Sequence, residues 1–550
     1  MKRWIGLILL LFSSPVAFSQ YYYSSTLPSP SRDLLRSRIV LGSGNERHFS
    51  QRMLALGRDF SGIVEDRLTD LFRNPSYFAD VDQPMLLGEL GRLQATYSYS
   101  AFPLRGYLSF PTVDQLLEKS IGLRLGYISR FGLLARGNYL HSSFQDNFFD
   151  DVSQYARERK TVSAESGSGR KEWWGDVQAA YGFEMEPHTA LGLSYTIGTA
   201  NLPSDATELF SRTEWSANDT SSSASSRRQE VEQELTTHTV RGGIRWLMER
   251  RSFDAVATVE FSTGELKHLQ RDIYTSFNSS LSPPSYRSNS REQLYETVSG
   301  ANVKVTNVQL GLRYAIECDN DSRLVLALEG KYASFSSSDF MDAVQQESTS
   351  GLSAYDTTRY SQFSSLFARR LAEGSPDGTG FGINARVGWT STSESWLVAV
   401  ASVAEFSRLS YKFTTQPRTF QNLFSRQRTQ TPRIDTTDTF SFDTSYTSGS
   451  FAHKGRSVRV RVALPFAAEF HPWETVHVRA GWAPQFISDF VDDKGGDNGD
   501  IRENARLDLS EVSFGMGVQL FERLQVDLFL PNFGNIFSPS HWNIAAQYNL

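Results

Sequence analysis

Residues 381–406 read FGINARVGWTSTSESWLVAVASVAEF, and this stretch decides the fold. Nearly every second side chain in it is apolar: Phe381, Ile383, Ala385, Val387 and Trp389, then Trp396, Val398, Val400, Ala404 and Phe406. The residues between them are mostly polar or small, and only a hairpin-sized gap separates the two runs. Alternation with a period of two means that one face of each strand meets an apolar medium and the other a polar one. The stretch therefore predicts a β-hairpin with one apolar face.

The same pattern recurs along the chain and predicts sixteen strands. They are Leu93–Tyr99, Ile121–Tyr127, Phe131–Tyr139, Trp173–Phe183, Leu191–Ile197, Val240–Met248, Phe253–Phe261, Val303–Ile316, Leu324–Tyr332, Phe381–Trp389, Trp396–Phe406, Val458–Phe466, Val476–Trp482, Val512–Leu520, Leu524–Leu530 and Trp542–Leu550. Short connections alternate with long polar ones, and we expect the long ones to be solvated extracellular loops: Ser142–Lys171, Gly198–Thr236, Gly264–Asn302, Ser334–Gly378 and Ser407–Gly455. This asymmetry is typical of bacterial outer-membrane barrels. The sequence thus predicts an all-β, antiparallel up-and-down transmembrane barrel of sixteen strands, with fourteen or eighteen as alternatives.

The composition agrees with a barrel and excludes several other classes. Hydrophobic residues make up 39% of the 550 residues, which is low for packed globular cores but sufficient when only the lipid-facing half of each strand is apolar. The formal charge of −6 gives no reason to expect nucleic acid as a partner. The single cysteine, Cys318, excludes an internal disulfide framework.

The N-terminus predicts export. Lys2 and Arg3 precede an apolar run from Ile5 to Phe12, and Ala17-Phe18-Ser19 supplies small residues at a cleavage site. The apolar run is far shorter than the ~20 residues that a spanning helix needs. We therefore expect residues 1–19 to be a signal peptide removed before Gln20, and the mature chain to lie in the cell outer membrane of a two-membrane bacterium.

Motifs for chemistry are absent, so we predict no catalytic site, no cofactor and no metal site. No nucleophile elbow, zinc-binding His-Glu motif or phosphate loop stands in a suitable context. The acidic tract 492–500 has the carboxylates that Ca²⁺ prefers, but it lacks the spacing of a calcium-binding loop and is interpreted as a solvated segment. The nine histidines are scattered without a convincing pair. A protein of this kind is not expected to be an enzyme.

Basic residues dominate the positions that should face the barrel interior. The predicted lumen-lining arginines are Arg241, Arg245, Arg386, Arg459, Arg461 and Arg479. Two interpretations remain open: these arginines pair with acids across the lumen and keep it polar, or they form a positive wall that favours anions or anionic head groups.

The segment between the signal peptide and the first strand can fold into the lumen as a plug or lie on the periplasmic mouth of the barrel, and we predict the plug. Ser61 could cap a helix that carries Ile63, Val64, Leu68, Leu71 and Phe72, and Asn74-Pro75 would end it. We therefore divide the chain into a plug or hatch segment at 20–91 and a barrel at 92–550. The plug acids Glu65, Asp66 and Asp70 are expected to lie near wall arginines such as Arg459, Arg461 and Arg479, because buried guanidinium groups need carboxylate or water partners.

Two short runs in this segment resemble a known family. Ser61-Gly62-Ile63-Val64-Glu65-Asp66, followed by Leu71-Phe72-Arg73-Asn74-Pro75, is similar to the N-terminal signature of long-chain fatty-acid-transporter-like outer-membrane barrels, which also include barrels associated with protein secretion. Ser76 and Tyr77 stand where that signature has Ala and Gly. The resemblance implies that Asp66, Asp70, Asn74 and Pro75 belong to a hatch that closes the lumen, either as such or with Asn74-Pro75 acting only as a helix stop.

Two functions follow as expectations. The first is passive uptake of a hydrophobic or amphipathic small molecule through a plugged barrel. The second is a non-transporting structural or secretion-partner barrel whose extracellular loops bind protein or lipopolysaccharide. In either case the expected surroundings are outer-membrane lipid and lipopolysaccharide, and the outward-facing Leu550 suits recognition by the barrel-assembly machinery.

Overall fold

The computed structural model describes residues 50–98, 115–155, 158–186, 188–201, 204–216, 218–282, 285–319, 321–355, 358–430, 436–494, 500–508, 512–521, 523–530 and 543–550. Its strands are β1 Met85–Ser98, β2 Gln115–Ile128, β3 Phe131–Tyr155, β4 Glu158–Glu186, β5 Thr189–Asn201, β6 Ser204–Ser216, β7 Asp219–Met248, β8 Arg251–Ser282, β9 Ser285–Asp319, β10 Ser322–Tyr355 and β11 Thr358–Gly374. They continue with β12 Asp377–Thr392, β13 Trp396–Gln430, β14 Thr436–Ser448, β15 Phe451–Ala463, β16 Phe466–Trp473, β17 Val476–Trp482, β18 Gln485–Lys494, β19 Asp500–Asp508, β20 Val512–Leu520, β21 Leu524–Leu530 and β22 Asn543–Asn549. The signal peptide predicted at 1–19 lies outside the described residues.

These segments form one antiparallel sheet that closes into a barrel of sixteen wall strands. The barrel closes where β1 pairs with β22, with Met85 opposite Asn549. There are more segments than wall strands because several wall strands are interrupted. For example, Pro465 separates β15 from β16 and Pro484 separates β17 from β18, since proline has no N–H to give to the ladder. The predicted fold class and strand number are confirmed.

The two faces of the wall differ as the alternation predicts. Side chains such as Leu193, Leu310 and Val387 are exposed on the outer face, at 60%, 53% and 47%. The inner face carries the polar residues, among them Arg241, Glu329 and Arg479, which are buried. An apolar outer belt around a polar interior is the arrangement that a membrane-spanning barrel requires. No helix in the described ranges is long and apolar enough to cross a membrane.

Many strands continue far past the apolar belt. β9 and β13 contain 35 residues each, whereas β21 and β22 contain 7. The segments that were expected to be solvated extracellular loops, such as Gly264–Asn302 and Ser334–Gly378, form long strand hairpins. Strands were not predicted there because serine-rich segments lack apolar alternation, yet their backbone ladders form and their hydroxyls pair across strands. One such pair joins Ser290 Oγ and Ser350 Oγ at 2.6 Å.

The N-terminal segment contains two short helices among its described residues. Helix α1 spans Gln51–Leu56 and helix α2 spans Arg67–Arg73, and 3₁₀ turns follow them at Arg58–Phe60 and Pro75–Asp80. Strand β1 begins at Met85, before the boundary expected at residue 91. The sequence did not indicate this earlier start because Met85 and Leu87 face inward and are apolar, so the apolar–polar alternation is hidden there. These two side chains are buried against the helical segment, and Leu86 between them is exposed on the outer face.

Candidate functional site

The helical segment Ser50–Val81, called the plug below, fills the interior of the barrel at the end where the strands are joined by short turns. Met53, Leu56 and Phe60 are buried together with the inward-facing Leu397 and Ala399 of β13. On the other side of the plug, Leu71, Phe72 and Phe78 are buried with wall residues of β1 to β4: Met85, Leu87, Ile128, Leu134 and Ala180. Removing this much apolar surface from water stabilises the docked plug, at about 25 cal/mol per Å² buried.

Polar caps in the sequence fix the course of the plug. Ser50 Oγ accepts a hydrogen bond from Met53 N–H at 3.0 Å and so begins α1. Asp66 begins α2 in the same way by accepting from Thr69 N–H at 2.9 Å. Asn74 ends α2 and begins the next 3₁₀ turn by accepting from Ser76 N–H at 3.1 Å, with Pro75 in the first turn position. The predicted hatch residues Asp66 and Asn74 thus shape the plug itself.

A row of glycines on the inner wall seats the 3₁₀ turn Pro75–Asp80. Gly182 of β4 pairs with Gly192 of β5, which in turn pairs with Gly243 of β7. A methyl group on Gly192 would lie less than 3.0 Å from backbone atoms of Pro75 and Ser76, a separation that real Cβ atoms essentially never show. Glycine is needed in this row because the plug backbone rests directly on the sheet.

Asn74 ties the plug to this seat. Its Nδ2 donates to the backbone carbonyl of Ile244 on β7 at 3.4 Å, and its Oδ1 accepts from Ser76 Oγ at 2.8 Å. Asn74 and Pro75 are both buried in the contact with the wall. The sequence pointed to these two residues, but it did not indicate the glycine row. The available signal was the presence of glycines at inward positions of three successive wall strands.

Two of the three predicted plug acids pair with wall arginines, but not with the ones that were predicted. Asp70 lies 3.7 Å from Arg313 of β9, and both side chains are buried. Glu65 forms an ion pair with Arg323 of β10. Asp66 lies 3.7 Å from Arg52, which belongs to the plug. The prediction was wrong because the sequence pattern does not indicate the direction of α2 inside the lumen. That direction decides which part of the wall the helix faces.

The environment of Asp70 is a buried network of charged and phenolic groups. Arg313 lies 3.3 Å from Asp254 Oδ2 and donates to Tyr77 Oη at 2.9 Å, and the Tyr77 hydroxyl donates to Asp254 at 2.9 Å. Burial raises the pKa of Asp70 to about 6, although Arg313 opposes the shift. Burial likewise works against ionisation of Glu65, but Arg323 holds the pKa of that carboxyl below its ordinary value.

Four of the six predicted lumen arginines contact the plug directly. Arg241 donates to the carbonyl of Phe72, and Arg386 donates to the carbonyl of Ser61 at 2.9 Å. Arg245 forms an ion pair with Asp80 and also covers the Tyr77 ring, 4.5 Å from its centroid. Arg461 donates twice to Asp59, at 3.0 and 2.7 Å. Two of these arginines, Arg245 and Arg461, therefore pair with acids, whereas Arg241 and Arg386 donate to backbone carbonyls of the plug.

The other two predicted arginines pair with acids of the wall. Arg459 of β15 lies 3.7 Å from Asp489 of β18. Arg479 of β17 contacts Asp527 and donates to Glu469 at 3.0 Å. Glu469 also accepts from Arg52 Nε at 3.0 Å and Nη2 at 2.8 Å, so it connects β16 to the plug. The sequence gave no reason to single out Arg52 or Asp59, because each is one of several charged residues in an irregular segment.

Farther along the strands from the short turns, the inner wall becomes apolar. Leu266, Ala301, Val303, Val305, Phe335 and Leu409 are buried together there, and Tyr411 packs against them; we call this set the apolar band. Phe335 lies over Gly378 and Tyr411 lies over Gly455, each ring covering the glycine opposite it on the neighbouring strand. The band therefore extends over β8, β9, β10 and β13, and Gly378 of β12 lies beneath the Phe335 ring.

Strand β9 shows that the polarity of the wall inverts at this height. On the short-turn side of the band, Val308 and Leu310 are exposed outward, at 44% and 53%, while Gln309 faces the lumen and donates to Glu329. Only a few residues farther on, Val303 and Val305 are buried inside and Lys304 is exposed outside. The outer face thus changes from apolar to polar at the rim of the belt, and the inner face changes in the opposite sense.

Beyond the apolar belt, the outer face of β11, β13 and β14 carries a cluster of aromatic rings and an arginine. Phe424 lies between Phe363 and Phe440, with ring centroids 6.3 and 6.4 Å apart. The Arg426 guanidinium lies 5.2 Å from the Phe440 centroid and forms two hydrogen bonds with Asp438. Phe442, 70% exposed, belongs to the same surface, so a large apolar area faces the surroundings above the belt.

Comparisons with known proteins find similarity in backbone only. No protein-family model matches the chain, and no curated protein matches it in sequence. Among solved structures, it is similar to a FadL homologue from Pseudomonas aeruginosa, with 10% identity, 91% of this chain and 98% of that chain covered, and a TM-score of 0.28. It is also similar to the siderophore receptor PirA from Acinetobacter baumannii, with 7% identity, 85% and 80% coverage and a TM-score of 0.23.

A third similar structure is the outer membrane transporter YddB from Escherichia coli, with 7% identity, 86% and 81% coverage and a TM-score of 0.22. Identities and scores this low identify neither a family nor a ligand. The resemblance of the plug sequence to the fatty-acid-transporter-like barrels therefore stays a prediction.

Proposed function

We propose that the protein is an outer-membrane barrel that takes up hydrophobic or amphipathic small molecules passively. The observation that supports this most directly is the apolar band on the inner wall. A lumen that passed only water and ions would keep polar side chains along its whole length, because apolar walls in a narrow pore favour dewetting. An apolar inner surface above a polar plug seat suits a solute that is itself partly apolar.

The side chains next to the band suit an amphiphile with a polar head group. Lys331 faces the lumen just below Phe335 on β10, and its ammonium group lies 3.0 Å from Glu329. A cavity of about 70 Å³ lies between Lys331, Ala333, Glu405 and Leu409. A hydrocarbon tail against the band would place a polar head group within reach of the Lys331 ammonium and the Glu405 carboxylate. The cavity is too small for a drug-sized ligand, so the band must part to admit one.

The plug makes such uptake a gated process. Its buried apolar contacts and its ion pairs with the wall close the lumen at the short-turn end. A solute that has reached the band can pass only if part of the plug moves. Passive uptake through this barrel therefore requires a plug that is docked in the resting state and yields without a complete unfolding of the wall.

A pair of substitutions on β10 tests the proposal. Phe335→Ser introduces a polar group into the band, whereas Phe340→Ser changes a phenylalanine that is 47% exposed on the outer face of the same strand. We expect Phe335→Ser to reduce binding of a long-chain fatty acid by the purified protein, and its uptake by cells, by about 10-fold to 150-fold, since one buried aromatic contributes roughly 1.5–3 kcal/mol. Unchanged binding and uptake in folded Phe335→Ser protein would refute the band as the path.

The aromatic and arginine cluster on the outer face favours a second candidate function. In this alternative the barrel does not transport, and its extracellular part binds protein or lipopolysaccharide through rings such as Phe440 and Phe442. Measurements of planar-bilayer conductance and fatty-acid binding separate the two proposals. Absence of both activities, together with a protein or lipopolysaccharide partner that is lost in Phe442→Ser, would support the second function against the first.

A further inference from the structure

Two histidines and a glutamate meet on the inner wall at the short-turn end of the barrel. Glu469 and His471 lie on β16 and His477 lies on the adjacent β17, across the turn that joins the two strands. Glu469 Oε1 is 3.5 Å from His471 Nε2 and 3.7 Å from His477 Nδ1. The imidazole rings meet edge to face with centroids 4.4 Å apart. The three donor atoms lie within 4.8 Å of one another.

The two ring nitrogens that face this point are enclosed and lack a hydrogen-bond partner. These are His471 Nε2 and His477 Nδ1. An unpartnered nitrogen in such a place is unfavourable, since it has lost water without gaining another contact. The other nitrogen of His471, Nδ1, lies 3.4 Å from the backbone carbonyl of Glu394. That carbonyl accepts only a proton-bearing nitrogen, so it places the proton on Nδ1 and leaves the Nε2 lone pair directed at the cluster.

We propose that Glu469, His471 and His477 bind a divalent transition-metal cation of the zinc class. Two imidazoles and one carboxylate are a ligand set that zinc takes, whereas calcium and magnesium prefer oxygen ligands alone. With metal–ligand bonds of about 2.0–2.1 Å, donor atoms around a tetrahedral zinc are roughly 3.3–3.4 Å apart. The separations of 3.5 and 3.7 Å are close to that value. The imidazoles are partly exposed, so a water molecule can complete the coordination.

The surrounding charges leave room for a dication. Glu469 accepts hydrogen bonds from Arg479 and from Arg52 of the plug, which place two guanidinium groups beside the cluster. Two further carboxylates neutralise these groups: Asp527 contacts Arg479, and Asp66 lies 3.7 Å from Arg52. Three carboxylates therefore face two guanidinium groups. The cation would share Glu469 with Arg52, which anchors α1 of the plug to the wall.

Metal titration of the full-length protein tests the site. The wild-type protein is purified in detergent with a tag that lacks histidine, and a chelator removes any bound metal. It should then bind one equivalent of Zn²⁺ or of Co²⁺, and the two ions should compete for the same site. Bound Co²⁺ should give the intense visible absorption of a four-coordinate site. His471→Ala and His477→Ala should each weaken Zn²⁺ binding at least tenfold, because each removes one ligand but leaves the Arg52–Glu469 pair in place. His238→Ala, which removes an imidazole that contacts Tyr195 elsewhere on the barrel, should bind as the wild type does.

Folding of each variant is checked by its heat-modifiable mobility in gel electrophoresis. If an alanine variant fails to fold, His471→Gln and His477→Gln replace it, since glutamine keeps a polar side chain of similar size. The proposal is overturned if the wild type binds Zn²⁺ no more tightly than the folded histidine variants. It is also overturned if His238→Ala weakens binding as strongly as the cluster variants do, or if Co²⁺ gives only the weak absorption of an aqueous ion.

Discussion

Substituting Gly192 by alanine should loosen the plug without disturbing the wall. The new methyl group would lie less than 3.0 Å from three backbone atoms, which belong to Pro75 and Ser76. Backbone cannot turn away as a flexible side chain can, so the 3₁₀ turn must shift. Overpacking of this kind costs about 1–3 kcal/mol, and almost all of that cost falls on the docked state. The equilibrium constant for undocking should therefore rise about 5-fold to 150-fold.

Two measurements on purified protein report this change. Single-channel recordings in planar bilayers should show more frequent open events, and limited proteolysis should cleave the plug faster. Gly242→Ala is the matched control, because Gly242 precedes Gly243 on β7 but faces outward, and a methyl group there would meet nothing within 4 Å. The control should behave as the wild type in both assays.

A specific result would refute the reasoning. If Gly192→Ala protein assembles normally, and both its open probability and its proteolysis rate equal those of Gly242→Ala, then the plug is not seated on the glycine row in the membrane. A rise of the same size in both variants would instead indicate a general weakening of the sheet, since glycine removal on either face would then have the same effect.

Three further predictions concern the charges and extent of the plug. Burial raises the pKa of Asp70 to about 6, so the docked plug binds this proton more tightly than the free segment does. Docking should therefore strengthen as pH falls from 7.5 to 5, and protease cleavage of the plug should slow. The variant Asp70→Asn should show no such dependence on pH. Arg461→Ala should weaken docking by about 3 kcal/mol, because it leaves Asp59 partly buried without its charge partner. The weaker docking should be measurable as faster protease cleavage of the plug. Adding Asp59→Ala to this variant should restore part of the loss. Deleting residues 20–84, which keeps β1 intact, should raise single-channel conductance and shift it toward anions; a truncated barrel that assembles and conducts no more than the full-length protein would place the segment outside the pore.

The membrane-spanning wall could be predicted because lipid imposes a simple rule on it. Every second residue of a spanning strand must be apolar, as in Phe381–Trp389, and this rule is visible without any knowledge of neighbours. The rule stops at the rim, where β9 buries Val303 and exposes Lys304. The long hairpins beyond the rim could not be predicted from alternation, because their serine-rich strands lack it and form through backbone ladders.

The alternation of apolar and polar residues does not determine which side chains pair inside the lumen. Sequence periodicity placed Arg461 and Arg479 on the inner face, but it could not tell that Asp59 would meet the first and Glu469 the second. Likewise, His471 and His477 look unrelated along the chain until the turn between β16 and β17 brings their rings into edge-to-face contact. Such pairs are set by strand register and by the orientation of the plug.

The height of the wall has a consequence for what the cell presents to its surroundings. At about 3.3 Å per residue, the 35 residues of β9 extend for roughly 115 Å, whereas a tilted strand needs only about 9–11 residues to cross the hydrocarbon. Most of β9 and its neighbours therefore projects beyond the lipid. The hairpin between β8 and β9, where Ser282 pairs with Ser285, is among the farthest points. If the barrel lies in the outer membrane with its short turns in the periplasm, as we propose, antibodies, bacteriophages and neighbouring cells would meet these serine-rich tips before they reached the lipid surface.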